Sequence, residues 1–336
     1  MSLRSNALAC LALLALAGCG AAPPAAQPTV APAATSSTAA PTATSPASVT
    51  YPLTLTDDRG SVTIPAPPQR VVTISEEMTE LAVALGVQPV GFGSGRHEAT
   101  QPGQPLAAPI YLDPALLGSP TFVGTLEPSI ERLATLDPDL ILYVNYDENI
   151  YQQLSQVAPT LGFEPSGNGA WQRIIGEVGK ALGREQRAAE VVAEFEQRKA
   201  ELRAQLAPAA ARTPRITLLY LPAPDSTFVF NQNFAFGGML TDLGFTLVVP
   251  EGVDPGTRGA VVISPEALAG LQTDLILTLQ FSEGTQTDFP IEPIMASLDT
   301  PVLRTVLEQE RPYTGPFSER FYLESFAALL LAAPAP

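Results

Sequence analysis

Sulfur and imidazole are scarce in this chain. Its 336 residues hold two cysteines, Cys10 and Cys19, and one histidine, His97. A structural zinc site takes four Cys or His ligands, so neither such a site nor a zinc-carrying protein fits this composition. A Ser-His-Asp hydrolase would have to work through His97, and no nucleophile motif accompanies it. Gly91-Phe92-Gly93-Ser94-Gly95 reads G-x-G-x-G. It matches neither the dinucleotide fingerprint G-x-G-x-x-G nor the elbow G-x-S-x-G, and Pro and Gln rather than a helix follow it. Nothing marks a glycosidase-type pair of carboxylates. A hydrolase is therefore only the alternative from another class. Positive charge is short too, with 18 Lys and Arg against 34 Asp and Glu and a formal net charge of -16. That balance favours solubility and disfavours nucleic acid, whose binding needs basic patches.

The apolar stretch Leu8 to Ala17 is far below the roughly 20 residues that a membrane-spanning helix needs. With Arg4 ahead of it, it reads as part of a leader covering residues 1–19. Leu16-Ala17-Gly18-Cys19 resembles a bacterial lipoprotein signal. That implies cleavage before Cys19, acylation of Cys19, and a protein held outside the cytoplasm on the cell membrane. No cysteine is then left for a disulfide, although the compartment is oxidising. Residues 20–50 are mostly Ala, Pro, Thr and Ser without charge. They cannot bury enough apolar surface to order themselves, and as a semi-extended tether they reach about 90 Å.

What the chain does contain is one unit written twice. Ser129 to Leu142 reads SIERLATLDPDLIL, and Ser264 to Leu277 reads SPEALAGLQTDLIL. At an offset of 135, nine of the fourteen positions are identical. Ser129 and Ser264 suit helix caps, and Pro265 suits a first helical position. Leu133 with Leu136, and Leu268 with Leu271, give an apolar stripe at helical spacing. DLILYV and DLILTL follow as short apolar runs typical of strands buried on both faces. Two copies of one αβ unit predict two similar lobes. The repeat also places one acid, Glu131 or Glu266, in the first turn of an equivalent helix in each.

The body starts near Tyr51. A hairpin turning at Asp57 to Gly60 is expected, then a strand from Arg70 to Ile74. A helix opened by Ser75 and stopped by Gly86 follows, then a strand over VQPVGFG. Residues 96–128 read as a long loop, and a helix is expected from about Asn149 to Val157. Trp171 to Ala207 reads as helical, interrupted at Gly183. The second piece, Arg184 to Leu206, spans roughly 35 Å and would restrain hinge opening between lobes. In the second lobe RITLLYL echoes RVVTIS and FGGMLTDLGF echoes MTELAVALGV. A loop over 251–263, the repeated unit and TLQFSEG follow, so its element order matches the first. The tail 299–332 is expected to hold a short helix and an apolar final helix. The boundaries are thus 51–180 for the first lobe, 181–210 for the connecting helix and 211–333 for the second lobe.

These residues resemble the periplasmic or lipid-anchored binding proteins of iron–siderophore, haem and vitamin B12 ABC importers. The resemblance covers about residues 52–332. It rests on DDRGSVTIPAPPQRVVTIS…LALGV, VGTLEPSIERLATLDPDLIL, the long helix after LGRE, and FGGMLTDLGF. It implies an α/β fold of two lobes bridged by one long helix, with the ligand cleft between the lobes. It also implies a monomer that is not an enzyme, carries no cofactor, and delivers a ferric siderophore or related metal chelate to an ABC permease dimer. Haem or a corrinoid is the alternative cargo. By motif position Glu131 and Glu266 would dock onto the permease. Open α/β sheets bind beyond the carboxyl ends of their strands, which nominates Ser75, Glu76, Arg96, Tyr143, Asn145 and Tyr146. The second lobe offers Asn231, Asn233, Phe234, Arg258, Gln280 and Phe281. His97, Trp171, Arg311, Tyr313, Phe317 and Arg320 complete the candidates, as a metal-facing imidazole, aromatic wall or positive spots for an anionic chelate.

Overall fold

The computed structural model describes residues 49–94, 111–125, 127–145, 147–164, 169–223, 226–281, 289–307 and 315–333. The expected leader with Cys19 and the expected tether, up to residue 48, lie outside them. β1 (Leu53–Thr56) and β2 (Ser61–Ile64) form the expected antiparallel hairpin. Asp57 builds its turn by accepting from the amides of Arg59 and Gly60, both at 2.8 Å. Its second oxygen accepts from the Gly162 amide at 2.7 Å, which fastens the hairpin to the first sheet.

That sheet is assembled from β3 (Val71–Ile74), α1 (Glu76–Ala84), β4 (Gly91–Ser94), α2 (Pro114–Leu117), β5 (Thr121–Thr125), α3 (Ile130–Thr135), β6 (Leu140–Val144), α4 (Glu148–Ser155) and β7 (Thr160–Phe163). All five strands are parallel, in the order β5-β4-β3-β6-β7. Parallel neighbours need crossovers, and the intervening helices supply them. The 96–128 stretch is not all loop, since its described part carries α2 and the edge strand β5. β7 is likewise a strand that the sequence pattern did not announce.

α5 (Ala170–Leu182) stops at Gly183, whose φ of 63 is the left-handed cap conformation that glycine supplies cheaply. α6 (Glu185–Arg212) then runs for 28 residues, about 42 Å, through Pro208 to a later end than expected. Ala188, Val191, Phe195, Leu202 and Leu206 form its buried stripe.

The second sheet comprises β8 (Arg215–Ala223), β9 (Ser226–Phe230), β10 (Thr246–Leu247), β11 (Ala260–Ile263), β12 (Leu275–Phe281) and β13 (Val302–Leu307). Its order is β11-β9-β8-β12-β13, with β10 beside the start of β8. Three helices, α7 (Ala235–Asp242), α8 (Glu292–Ser297) and α9 (Pro316–Ala332), and a 3₁₀ turn over Pro265–Leu268 complete the lobe. The expected identity of element order between lobes is corrected here. β9 returns antiparallel to β8 and takes most of the edge that β4 holds in the first sheet, leaving β10 two residues. The stretch 251–263 contains β11, SPEAL is a 3₁₀ turn rather than an α-helix, and the tail contributes β13 where a short helix was expected.

The repeated aspartate has a concrete job in both lobes. Asp139 accepts from the amides of Gln69 and Arg70 at 2.7 and 2.8 Å, at the start of β3. Asp274 accepts from the Arg215 amide at 2.9 Å and pairs with its guanidinium at 2.7 Å, at the start of β8. Each clips the repeated strand to the central strand beside it and fixes their register. One apolar core joins α1, α5, α6, α7 and α9 to one face of both sheets. Separate clusters cover the other face of the first and of the second sheet.

Candidate functional site

The carboxyl end of the first sheet is polar and enclosed. β3 is followed by Ser75, fully buried, whose φ of 147 lies in a region that side-chain-bearing residues rarely adopt. Such a conformation costs about 1–3 kcal/mol and is retained where the surroundings fix it. Here they do: the Ser75 hydroxyl caps the Met78 amide at 3.2 Å, and its carbonyl accepts from the Thr79 hydroxyl at 2.8 Å. Glu76 is buried and accepts from the Ser94 hydroxyl at 2.5 Å, joining the tips of β3 and β4. Asn145 follows β6 with its backbone amide bonded to the Phe163 carbonyl at 2.8 Å. Its side chain is 9% exposed, and neither amide atom has a hydrogen-bond partner among the described residues. Buried polar atoms are ordinarily paired, so this amide offers one donor group and one acceptor at the strand end.

Other candidates take structural places. Tyr143 is buried in the outer core of the first sheet, and its hydroxyl accepts from the Asp147 amide at 3.0 Å, shaping the turn into α4. Trp171 is 1% exposed, edge-on to Phe195, and donates its indole N–H to Glu319. It presents no face to a cleft, because α5 turns that side onto α6 and α9. Asn231 and Asn233 donate to the Gly256 carbonyl at 3.2 and 3.1 Å and hold that loop against the start of α7. Arg320 pairs with Glu324 at 3.2 Å on α9. Arg258 is exposed and Gln280 half-buried. Phe281 ends β12. Arg96, His97, Tyr146, Arg311 and Tyr313 lie outside the described residues, so two of the four arginines nominated as a positive spot have no described position.

Sequence reasoning missed two features. The first is a chain of aromatic rings. Tyr111 meets Phe321 of α9, Phe321 meets Tyr322, and Tyr322 meets Phe236 of α7. From Phe236 the chain continues through Phe234 and Phe230 to Tyr220 and Phe228 on the β8–β9 hairpin. The alternation of Phe228 and Phe230 was its one readable signal. The predicted wall residue Phe317 is half-buried beside Val83, Leu112 and Leu117.

The second is a pair of buried carboxyls that hold α9. Glu80 of α1 accepts from the amides of Phe317 and Ser318 at 2.9 and 2.8 Å, at the start of that helix. Burial pushes its pKa up to about 8 against those two amides and the Ser318 hydroxyl, and the charge of Glu77 adds to the rise. Burial likewise pushes Glu319 up to about 7, while the Trp171 N–H opposes the shift. α9 is thereby bonded to α1 and α5 of the first lobe while packing on α6 and α7.

Glu131 and Glu266 are both exposed. Each stands in the first turn after an edge strand, β5 or β11, and these strands hold equivalent ends of the two sheet orders. Ser129 caps the Arg132 amide at 3.3 Å and so fixes the first turn around Glu131. The amide of Glu266 itself and the Ser264 hydroxyl hold the Glu266 carboxyl below its usual range.

Comparison with known proteins bears on what such an arrangement is for. The family model described as periplasmic binding protein matches residues 71–295. The ferric enterobactin-binding periplasmic protein FepB of Escherichia coli is 30% identical over 218 residues, 61% of this chain and 65% of that protein. The probable siderophore-binding lipoprotein YfiY of Bacillus subtilis is 31% identical over 183 residues, 54% of this chain and 53% of that protein. The chain thus spans between about half and two thirds of the length of these curated relatives. Among solved structures, Staphylococcus aureus SirA complexed with staphyloferrin B has a TM-score of 0.61 at 21% identity, covering 83% of this chain and 98% of that one. FhuD from Vibrio cholerae with Fe3+-Desferal has a TM-score of 0.61 at 24% identity, covering 79% and 99%. These two likenesses show the fold.

Proposed function

The chain belongs to the periplasmic binding protein family, and from that premise we propose that it captures a ferric siderophore outside the cytoplasmic membrane and delivers it to the permease of an ABC importer. The observation that carries the reading is the pairing of two facts. Of the relatives named above, FepB is described as ferric enterobactin-binding and YfiY as a probable siderophore-binding lipoprotein. The two sheets of this chain each place an exposed acid, Glu131 or Glu266, directly after the equivalent edge strand. Two carboxylates on two braced lobes can set both the position and the orientation of a docked protein, chiefly through specificity and association rate. Ligand enters between the lobes, beyond the strand ends that carry Ser75, Glu76 and Asn145. Binding, not catalysis, is the proposed role. The relatives' ligands disfavour haem or cobalamin as cargo, and a hydrolase is not favoured either.

Anchoring through a lipid on Cys19, with residues 20–50 as tether, and action as a monomer complete the proposal. The test is a titration of the purified body with ferric hydroxamate, catecholate and carboxylate chelates, haem and cobalamin, read by calorimetry. At least one ferric chelate is expected to bind at micromolar Kd or tighter, about -8 kcal/mol or better. No binding by any ferric chelate would remove the transport reading.

A further inference from the structure

The two copies of the repeated unit part company one residue after the acid. The first copy carries Arg132 there, and its counterpart at the offset of 135 is Ala267. In the first lobe the chain on both sides of Glu131 is tied to the edge strand β5. The Ser129 amide donates to the Val123 carbonyl at 2.8 Å, and the Arg132 guanidinium donates to the Phe122 carbonyl at 3.2 Å. Ser129 also caps the Arg132 amide at 3.3 Å, and the Thr135 hydroxyl donates to the Arg132 carbonyl at 2.6 Å. Leu133 is fully buried and seats the turn in the outer core beside Val123. Gly124 lets the chain fold back this closely. At its φ of 144 a Cβ would stand 2.8 Å from the Glu127 carbonyl oxygen and 3.1 Å from the Pro128 Cα.

The second lobe lacks this clamp. Ser264 makes no side-chain cap bond. Its turn closes on its own backbone, with the Ala267 amide on the Ser264 carbonyl at 3.1 Å and the Ala269 amide on the Glu266 carbonyl at 2.9 Å. Ala267 has no side-chain donor with which to reach β11. Charge does not account for the arginine of the first copy. A cation beside a docking acid works against attraction to a positively charged partner. The bond to β5 does account for it: Arg132 is half-buried and turned onto the strand, while Glu131 is exposed.

We propose that Arg132 is a positioning residue for permease docking: it clamps the turn that presents Glu131, so that the first lobe offers its acid in a fixed direction, whereas the second lobe offers Glu266 on a less restrained turn. The inference rests on the docking reading and refines it. The test measures binding of the cargo-free native chain, Arg132→Met and Glu131→Ala to the ABC importer in nanodiscs by biolayer interferometry, with amide hydrogen exchange over residues 129–135 read alongside. Arg132→Met is expected to dock about threefold to tenfold more weakly, the worth of one lost hydrogen bond, although it removes a positive charge from that face. Exchange over 129–135 speeds up in the same variant, and its melting stays within a few degrees of the native chain. Docking of Arg132→Met as tight as that of the native chain, or tighter, overturns the positioning role. Weaker docking with unchanged exchange overturns it too, since the guanidinium would then meet the partner directly. In both cases a Glu131→Ala variant that docks about tenfold more weakly leaves the docking reading in place. A Glu131→Ala variant that docks like the native chain, or a native chain that does not dock, removes both.

Discussion

Glu80 makes stability depend on pH in an unusual direction. Its carboxyl is 1% exposed at the start of α9, and its folded pKa is raised from 4.5 to about 8. The folded state therefore holds the proton more tightly than the unfolded chain does. The stability linked to that proton is fully present below about pH 4.5 and is lost as pH rises toward 8. Each unit of pKa shift is worth about 1.36 kcal/mol, so the loss across the window is about 5 kcal/mol at its upper bound. The groups facing this carboxyl are the Ser318 amide and hydroxyl and the Phe317 amide from α9, which oppose the shift, and Glu77 from its own helix, which adds to it. Glu319, with a folded value of about 7, adds a second contribution of the same sign below neutrality. Carboxyls with lowered values, such as Asp274 and Glu324, act below about pH 4.5 and stay outside the window. Urea unfolding at half-unit intervals from pH 5 to 8.5 reads the slope directly. The native chain is expected to lose stability with rising pH, while Glu80→Gln, which mimics the protonated acid, loses it about 1.4 kcal/mol per unit less steeply. A Glu80→Gln variant with the native slope, or a native chain that gains stability across the range, refutes the reasoning.

Three further outcomes are expected. Glu131→Ala and Glu266→Ala leave chelate affinity unchanged in calorimetry but lower uptake by a reconstituted importer about tenfold each, and loss of chelate binding in either variant removes the docking role. Asn145→Leu relieves an unpaired buried amide and raises stability by about 1–3 kcal/mol while weakening chelate binding, so a variant with unaltered affinity shows that the amide never met the ligand. Trp171→Ala empties a core site between α5, α6 and α9 and costs about 3–5 kcal/mol in urea unfolding, and a loss below 1 kcal/mol would place the indole outside the core.

Much of this was legible because it is local. The Ser75 cap, the Gly183 break and the first copy of the repeated αβ unit each declare themselves within a few residues and hold in the structure, whereas Ser264 makes no side-chain cap bond and its copy is a 3₁₀ turn. The repeat also pointed correctly to an acid in the first turn of each copy. What failed depended on distant partners. Glu80 carried no signal in the sequence, because its donors lie 237 and 238 positions away. Trp171 finds Glu319 at a separation of 148. β9 was hidden for another reason: the expectation of matching lobes left no place for an antiparallel return strand. A duplicated unit predicts its own copy well, and predicts poorly whatever has been inserted between copies.

The attachment of α9 has a consequence for the order of assembly. The amides that meet Glu80, and the carboxylate that meets Trp171, are made long after the helices they bind. Closing such distant segments is entropically slow. Until α9 arrives, the core shared by both halves lacks Tyr322, Leu323 and Phe326, and an acid-lined slot beside α1 stands open. A chain cut before α9 would therefore leave part of the core shared by both sheets without its cover.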